Sequence, residues 1–175
     1  MSEPTETLAE GRFLRLCRQG RWEYVQRVNA SGAVHIVAVT PEDELLLVEQ
    51  FRAPVGARVL ELPAGIVGDE AGHRGESAEA AAARELVEET GYRPARVERL
   101  HRGPSAPGMA AEIITLVRAH DLSRVGEGGG VDGEDIAVHR VPLSEARAWL
   151  RARADEGCLV DHRVFAGLYC LDRGF

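Results

Sequence analysis

The chain has 175 residues, enough for one domain with a core of its own. Apolar residues make up 45% of it and charged residues 28%, as in an ordinary globular protein, and no apolar run is long enough to span a membrane. The net charge of −7 argues against a general nucleic-acid binder, and three scattered cysteines are typical of reduced thiols in a cytoplasm. We therefore expect a cytoplasmic protein that binds neither nucleic acid nor membrane.

The first thirty residues differ in pattern from the remainder of the chain. Residues 1–10 are polar, and we expect them to be flexible. Apolar and polar residues alternate over residues 11–30, with Gly20 between two runs, which predicts an N-terminal β-hairpin. Because no internal repeat or second domain is visible, residues 31–175 are assigned to one main domain.

Further strand patterns follow at the start of this main domain. Residues 33–40 and 44–51 are dense in apolar residues, which predicts a second and more buried hairpin. Residues 58–62 predict a short fifth strand. Residues 65–75 are rich in glycine and acidic residues, which predicts a loop.

The strongest helix pattern in the chain covers residues 76–90. Ser77 is the expected N-cap, and Gly91 is expected just after the C-cap. An apolar face should dock on a sheet while the opposite face stays polar. The residues of this apolar face are Ala83, Leu86 and Val87.

The C-terminal half alternates between strands and helices. Three strands are predicted at 95–101, 112–120 and 135–143, and two amphipathic helices at 144–157 and 161–172. A long, flexible loop that is rich in glycine and acidic residues, 121–134, precedes the last strand. This order of elements predicts an α+β fold, an α/β/α sandwich with a mixed β-sheet.

Three glutamates crowd the C-terminal end of the central helix: Glu85, Glu88 and Glu89. At about 100° per residue they lie on one face of the helix. Like charges at these spacings destabilise a helix, and the negative end of the helix dipole adds to the repulsion. Because local stability disfavours the arrangement, we infer that a divalent cation holds it.

The segment from Gly75 to Tyr92 resembles the signature box of the Nudix hydrolases, which cleave nucleoside diphosphates linked to another moiety. The matching positions are Glu76, Arg84, Glu85, Leu86, Glu88, Glu89 and Gly91. The family pattern also opens with a glycine six residues before the first glutamate, a place that Glu70 holds here. Gly65 is the better match, which implies a five-residue insertion in the loop. The resemblance implies a Nudix fold, with one catalytic helix after the glycine-rich loop.

The resemblance also implies the metal ligands and the catalytic residues. Mg²⁺, for which Mn²⁺ can substitute, binds carboxylates together with substrate phosphate oxygens. The implied ligands are Glu85, Glu88, Glu89, Glu134 and the backbone carbonyl of Ala64. The candidates for activating the attacking water are Glu134, then Asp132 and Glu88, and Arg84 is expected to orient a glutamate by an ion pair.

The regions beside the box resemble the ADP-ribose pyrophosphatases of this family. Arg52 matches an arginine that helps to hold the substrate, Glu112 matches a glutamate common in that subgroup, and Gln50 is added as a third substrate-binding candidate. Pro107 lies sixteen residues after Gly91, a spacing that accompanies the same subgroup. The predicted function is therefore Mg²⁺-dependent hydrolysis of ADP-ribose to AMP and ribose 5-phosphate.

Three alternatives stay open from the sequence alone. The first is the same chemistry on another nucleoside diphosphate sugar, such as GDP-mannose. The second is a Nudix-like domain that senses a nucleotide without cleaving it, and the third is a plain metal-binding or interaction protein. In the family, N-terminal strands of one subunit commonly help to build the pocket of the other. The resemblance thus also implies a homodimer that uses the hairpin at 11–30.

Overall fold

The structure is a computed structural model that describes residues 3–68, 73–131 and 133–173. Within these residues, two four-stranded sheets and a three-stranded sheet are combined with three α-helices. A two-stranded antiparallel ribbon joins β8 (Tyr92–Arg93) and β11 (Ser123–Arg124). The helices are α1 (Ala78–Thr90), α2 (Ala146–Asp155) and α3 (His162–Arg173). The predicted α+β sandwich with mixed sheets is confirmed. No described helix is both long and apolar enough to cross a membrane.

An antiparallel three-stranded sheet forms the N-terminal part of the chain. Its strands are β1 (Glu6–Glu10), β2 (Leu14–Gln19) and β3 (Trp22–Arg27), in that order. Strands β2 and β3 form the expected hairpin. The expectation that residues 1–10 are flexible is wrong for β1, which pairs with β2. All five β1 residues are exposed, so the strand is held through its backbone. Without a buried face, its sequence lacks the apolar alternation by which a strand is predicted.

The first four-stranded sheet has the order β7-β4-β10-β9. Its strands are β4 (Gly32–Ala38), β7 (Ala64–Val67), β9 (Arg96–Pro104) and β10 (Ile113–His120). Strands β4 and β10 are parallel, and the other neighbours are antiparallel. The predicted loop at 65–75 is therefore wrong at its start, because β7 pairs with the edge of β4.

The second four-stranded sheet has the order β12-β5-β6-β13. Its strands are β5 (Glu44–Arg52), β6 (Ala57–Glu61), β12 (Ile136–Pro142) and β13 (Leu159–Val160), and a 3₁₀ turn at Ala53–Val55 links β5 to β6. The expected hairpin between 33–40 and 44–51 is wrong. The Thr40 amide does donate to the Glu44 carbonyl across a tight turn, at 2.8 Å, but β4 and β5 then enter different sheets.

Two apolar cores lie on opposite sides of these sheets. Strand β4 serves both, since Val34 and Ile36 pack in the core beneath α1 while Val37 packs in the core beneath α2 and α3. Helix α1 buries Ala81, Ala82 and Leu86. Of the predicted apolar face, Leu86 is fully buried, whereas Ala83 and Val87 are half-buried. The buried face is thus rotated toward the glutamates, and the last of them, Glu89, belongs to it.

Candidate active site

A cleft of about 350 Å³ opens where α1, the two four-stranded sheets and the start of α3 meet. Every predicted site residue in the described part of the chain lines it: Gln50, Arg52, Ala64, Arg84, Glu85, Glu88, Glu89, Glu112 and Glu134. Asp132 and Glu70, and with Glu70 the region of the proposed insertion, lie outside the described residues. Pro107 lies in a separate hollow beside Trp22 and Tyr24.

Helix α1 is capped at both ends by residues that are close in sequence. The Ser77 side chain accepts a hydrogen bond from the Ala80 amide at 3.1 Å, and Gly91 follows the helix with a left-handed φ of 75°. These caps satisfy backbone groups that a helix end leaves free. They fix the register of the helix, so that its glutamates face the cleft.

Glu89 is the most buried carboxylate of the group, with 5% of its surface exposed. Its Oε2 accepts a hydrogen bond from the Ala64 amide at 2.9 Å. Burial, together with the negative charges of Glu85 and Glu134, raises the pKa of Glu89 to about 8, although the Ala64 hydrogen bond lowers it. In the absence of a cation, this carboxyl group is therefore largely protonated at neutral pH.

Arg84 links three carboxylates of the box. Its guanidinium donates to Glu85 Oε1 at 2.9 Å, to Glu88 Oε2 at 3.1 Å and to Glu76 Oε1 at 3.1 Å. Glu76 also accepts from the Gly68 amide at 3.1 Å, which ties the start of the glycine-rich loop to the helix. A planar guanidinium with several donors can hold such a set in one orientation, which a lysine cannot.

Gly65 lies in direct contact with the glutamate face. A Cβ atom at this position would lie 2.0 Å from Cγ of Glu85. Strand β7 can therefore approach α1 this closely only because residue 65 has no side chain.

The loop predicted at 121–134 is fastened to the end of α1. The Gly129 amide donates to the Glu89 carbonyl at 2.8 Å, and the Gly130 amide donates to the Glu88 carbonyl at 3.0 Å. These bonds satisfy carbonyls that the helix end leaves without an intrahelical partner. The same loop brings Glu134 to the cleft, where its Oε2 accepts from the Val131 amide at 3.1 Å.

Four titratable residues that line the cleft were not predicted from the sequence: Arg27, His35, Glu61 and Arg163. Three arginines that line the cleft each pair with a carboxylate, and we term these three pairs the paired wall. The pairs are Arg27–Glu112, Arg52–Glu61 and Arg163–Asp161. Glu61 is 6% exposed, and burial raises its pKa although the Arg52 guanidinium, at 2.7 Å, lowers it.

His35 lies in the cleft with 7% of its surface exposed. Burial lowers its pKa to about 4, and the charge of Arg163 acts in the same direction. The ring is therefore neutral at physiological pH. Its Nδ1 has no hydrogen-bond partner among the described residues.

The donor chemistry of the glutamate side fits a hard divalent cation. Glu85, Glu88, Glu89, Glu134 and the Ala64 backbone offer oxygen ligands on one cleft, and oxygen is what Mg²⁺ prefers. A cation would also stabilise the charged form of Glu89, which is otherwise buried beside two other carboxylates. In the described residues, no three acidic, histidine or cysteine side chains yet converge on one point. Glu85 and Glu88 form ion pairs with Arg84.

A family model and several known proteins are similar in sequence to most of this chain. The family model of the NUDIX domain matches residues 30–159. A methanol dehydrogenase activator from Bacillus methanolicus is 32% identical over 156 residues, which cover 85% of this chain and 82% of that protein. An ADP-ribose pyrophosphatase from Bacillus subtilis (strain 168) is 35% identical over 127 residues, 72% of this chain and 66% of that protein.

One solved structure is similar to this chain in its fold. The crystal structure of an ADP compounds hydrolase matches 98% of this chain and 91% of its own chain, with a TM-score of 0.76 and 23% sequence identity. The family model covers most of the chain, and it includes the box helix and the loop that carries Glu134. The chain belongs to the Nudix hydrolase family.

Proposed function

We propose that this protein hydrolyses the diphosphate bond of ADP-ribose in the presence of Mg²⁺, giving AMP and ribose 5-phosphate. The observation that carries the proposal is the meeting of four carboxylates, Glu85, Glu88, Glu89 and Glu134, on one cleft beside the paired wall. An anionic diphosphate can approach such a face only with cations between them. The relative named as an ADP-ribose pyrophosphatase supports the choice of substrate.

Metal binding is assigned to the glutamate side of the cleft. Glu85, Glu88, Glu89, Glu134 and the Ala64 carbonyl would hold Mg²⁺, and Mn²⁺ would substitute for it. When bound, the cation supplies neutralisation of the diphosphate charge and polarisation of the phosphorus centre. Arg84 orients Glu85 and Glu88, and it must release part of its hold when these carboxylates take up the metal.

The remaining groups handle the proton and the substrate. Glu134 accepts the proton of the attacking water, with Asp132 and Glu88 as the other candidates. The water oxygen forms a bond to one phosphorus, the bridging P–O bond breaks, and the two phosphate monoesters leave. Arg52, Gln50 and Glu112 hold the substrate, and Arg52 does so while its guanidinium stays fixed by Glu61.

Two further properties belong to the same proposal. The N-terminal sheet exposes apolar side chains that a second copy of the chain would cover: Leu8, Phe13, Leu14, Leu16 and Trp22. This supports a homodimer in which residues 11–30 are the contact element. The net charge of −7 gives no support for nucleic-acid binding, and three free cysteines support a location in the cytoplasm.

Product analysis with Mg²⁺ and ADP-ribose is the direct test. Chromatography should reveal AMP and ribose 5-phosphate in equal amounts, and Glu89→Gln should lower kcat by about 100-fold or more because a metal ligand is lost. Glu127→Gln is the matched control, since Glu127 belongs to the loop that carries Glu134 but does not line the cleft.

The same assay run on a panel separates the alternatives. The panel contains ADP-glucose, GDP-mannose, UDP-glucose, NADH and diadenosine polyphosphates. Faster turnover of another sugar nucleotide would contradict the choice of ADP-ribose and leave the mechanism in place. Tight binding of a nucleotide without any turnover would contradict hydrolysis and favour a sensor.

A further inference from the structure

The paired wall has an unusual balance of charge for a site that receives a diphosphate. Each of its arginines, Arg27, Arg52 and Arg163, forms an ion pair with its own carboxylate. The wall therefore carries no net positive charge to attract a second phosphate. The described residues that line the cleft include no phenylalanine, tyrosine or tryptophan on which a base could stack. What the wall offers is a dense set of hydrogen-bonding groups.

His35 lies within electrostatic reach of this wall. The charges of Arg163, Asp161, Glu112 and Arg52 all act on its ring. In strand β4 side chains alternate, so His35 lies on the face opposite Val34 and Ile36, on the same side as Val37. It thus belongs to the floor of the cleft and not to the core beneath α1.

One nitrogen of the His35 ring lacks a hydrogen-bond partner among the described residues. The Nδ1 atom is buried and has no hydrogen-bond partner among the described residues, although the charges of two arginines and two carboxylates act on the ring. A buried polar atom in this state is unfavourable and uncommon in native proteins. The nearby arginines and carboxylates pair with one another, which leaves the ring to an occupant of the cleft.

The hydrogen-bonding groups of a neutral imidazole indicate which chemical group on the occupant can be its partner. One ring nitrogen donates a hydrogen bond and the other accepts one. A rotation of the ring by about 180° around Cβ–Cγ exchanges the positions of Nδ1 and a ring carbon. The ring can therefore present either nitrogen to the cleft without a movement of the backbone. A hydroxyl group both donates and accepts and satisfies either tautomer, whereas a phosphate oxygen only accepts.

We propose that His35 is a specificity-determining residue that hydrogen-bonds a hydroxyl group of the sugar on the distal phosphate of the substrate. The inference rests on the proposed function and deepens it, because it assigns the paired wall to the sugar. His35 then selects diphosphates that carry a hydroxylated sugar over diphosphates that carry none.

The test compares two substrates that differ only beyond the second phosphate: ADP-ribose and the methyl ester of ADP. His35→Phe keeps the size of the ring and removes both nitrogens, and His35→Gln keeps a donor and an acceptor. His139→Phe is the matched control, because it removes the histidine that hydrogen-bonds Glu49 at 2.9 Å outside the cleft. The ratio of kcat/KM for the two substrates is measured for each protein, and circular dichroism checks the fold.

We expect His35→Phe to lower the preference for ADP-ribose by about 10-fold or more, the effect of one lost hydrogen bond in a desolvated site. His35→Gln should recover part of the preference, and His139→Phe should leave the ratio at the wild-type value. An unchanged ratio in His35→Phe, or an equal loss on both substrates, would overturn the proposal. If His35→Phe does not fold, His35→Ala takes its place in the same comparison.

A failure of the proposed function would be seen separately. In that case the wild-type protein releases no AMP from either substrate. The ratio of calorimetric Kd values for ADP-ribose and the methyl ester, in wild type and in His35→Phe, then decides on His35 alone. Equal ratios in the two proteins, or no binding of either ligand, would reject the sugar contact.

Discussion

Gly65 and Glu85 approach each other so closely that a single added carbon at residue 65 would lie 2.0 Å from the Glu85 side chain. Gly65→Ala should therefore displace Glu85 from the cleft and lower kcat by roughly 10-fold to 100-fold, since about 1 Å of misplacement can have effects of that size. Steady-state kinetics with ADP-ribose and Mg²⁺ measure this effect.

The control for Gly65→Ala is Gly108→Ala. Gly108 does not have a left-handed φ, and a Cβ atom there would meet no heavy atom within 4 Å. This variant should retain wild-type kinetics. Full activity of Gly65→Ala would mean that Glu85 can move aside without loss, and it would argue against Glu85 as a metal ligand.

Glu89→Gln should stabilise the metal-free protein although it lowers kcat. The folded protein holds the Glu89 proton up to about pH 8, whereas the unfolded chain releases it near the usual value of 4.5. The folded state is therefore progressively disfavoured as pH rises from about 4.5 to 8. Glutamine carries no charge and can still accept from the Ala64 amide. We expect Tm in EDTA to rise by at least about 3 °C at pH 8, with little change near pH 4.5.

Calorimetry at the two pH values, with and without Mg²⁺, measures this difference. Added Mg²⁺ should reverse the order at pH 8, because only the wild-type carboxylate gains from the cation. A stability difference that does not depend on pH would contradict the buried, protonated state of Glu89.

Arg58 should act as a positioning residue for Glu134. Its guanidinium donates to Asp135 Oδ2 at 2.8 Å and to Glu49 Oε1 at 3.1 Å, and it thereby ties the residue next to Glu134 to the sheet. We expect Arg58→Gln to lower kcat roughly 5-fold with little change in KM, because the base loses its fixed position. Steady-state kinetics over a range of ADP-ribose concentrations give both constants.

The effect of Arg58 should be shared with Asp135. Asp135→Asn should cause a similar loss, and the double variant should lose no more than either single one. Arg140→Gln, which removes a longer 4.0 Å pair with Glu44 on the same sheet, is the matched control. Additive losses in the double variant would show that Arg58 acts by another route.

The apolar surface of the N-terminal sheet predicts the oligomeric state. Phe13 is 67% exposed and Trp22 is 54% exposed. Large apolar side chains exposed on one surface indicate a protein–protein contact. Phe13→Asp combined with Trp22→Asp should convert a dimer into a monomer of 19.0 kDa in sedimentation velocity. Phe165→Asp on α3, where the side chain is also half exposed, should leave the dimer intact. Dissociation by the α3 variant alone would place the interface elsewhere.

Local features of the site could be predicted from the sequence because they depend on residues close together in the chain. Ser77 and Gly91 bracket α1 through caps that involve only their own neighbours. The glutamate face follows from helical spacing alone. The same holds for the hairpin of β2 and β3, whose alternation and central glycine are contained in one short segment.

The pairing of strands that are distant in the sequence could not be predicted in this way. Strands β4 and β5 are buried on both faces, so their apolar runs do not state which sheet each one joins. His35 and Glu61 reach the cleft only through that choice of sheets, and Arg163 reaches it only through the docking of α3. A lone histidine in an apolar strand gives no local sign that it will line a site.

The hydrogen bonds from Gly129 and Gly130 to the last carbonyls of α1 make the loop and the helix end one cooperative unit. Any opening of the loop uncovers the Glu88 and Glu89 carbonyls at the same moment. The amides of Gly129 and Gly130 and those of the final helical turn should therefore exchange with solvent deuterium at a common rate. Substrate that closes the loop would slow both together, so the order of the helix end reports directly on occupancy of the cleft.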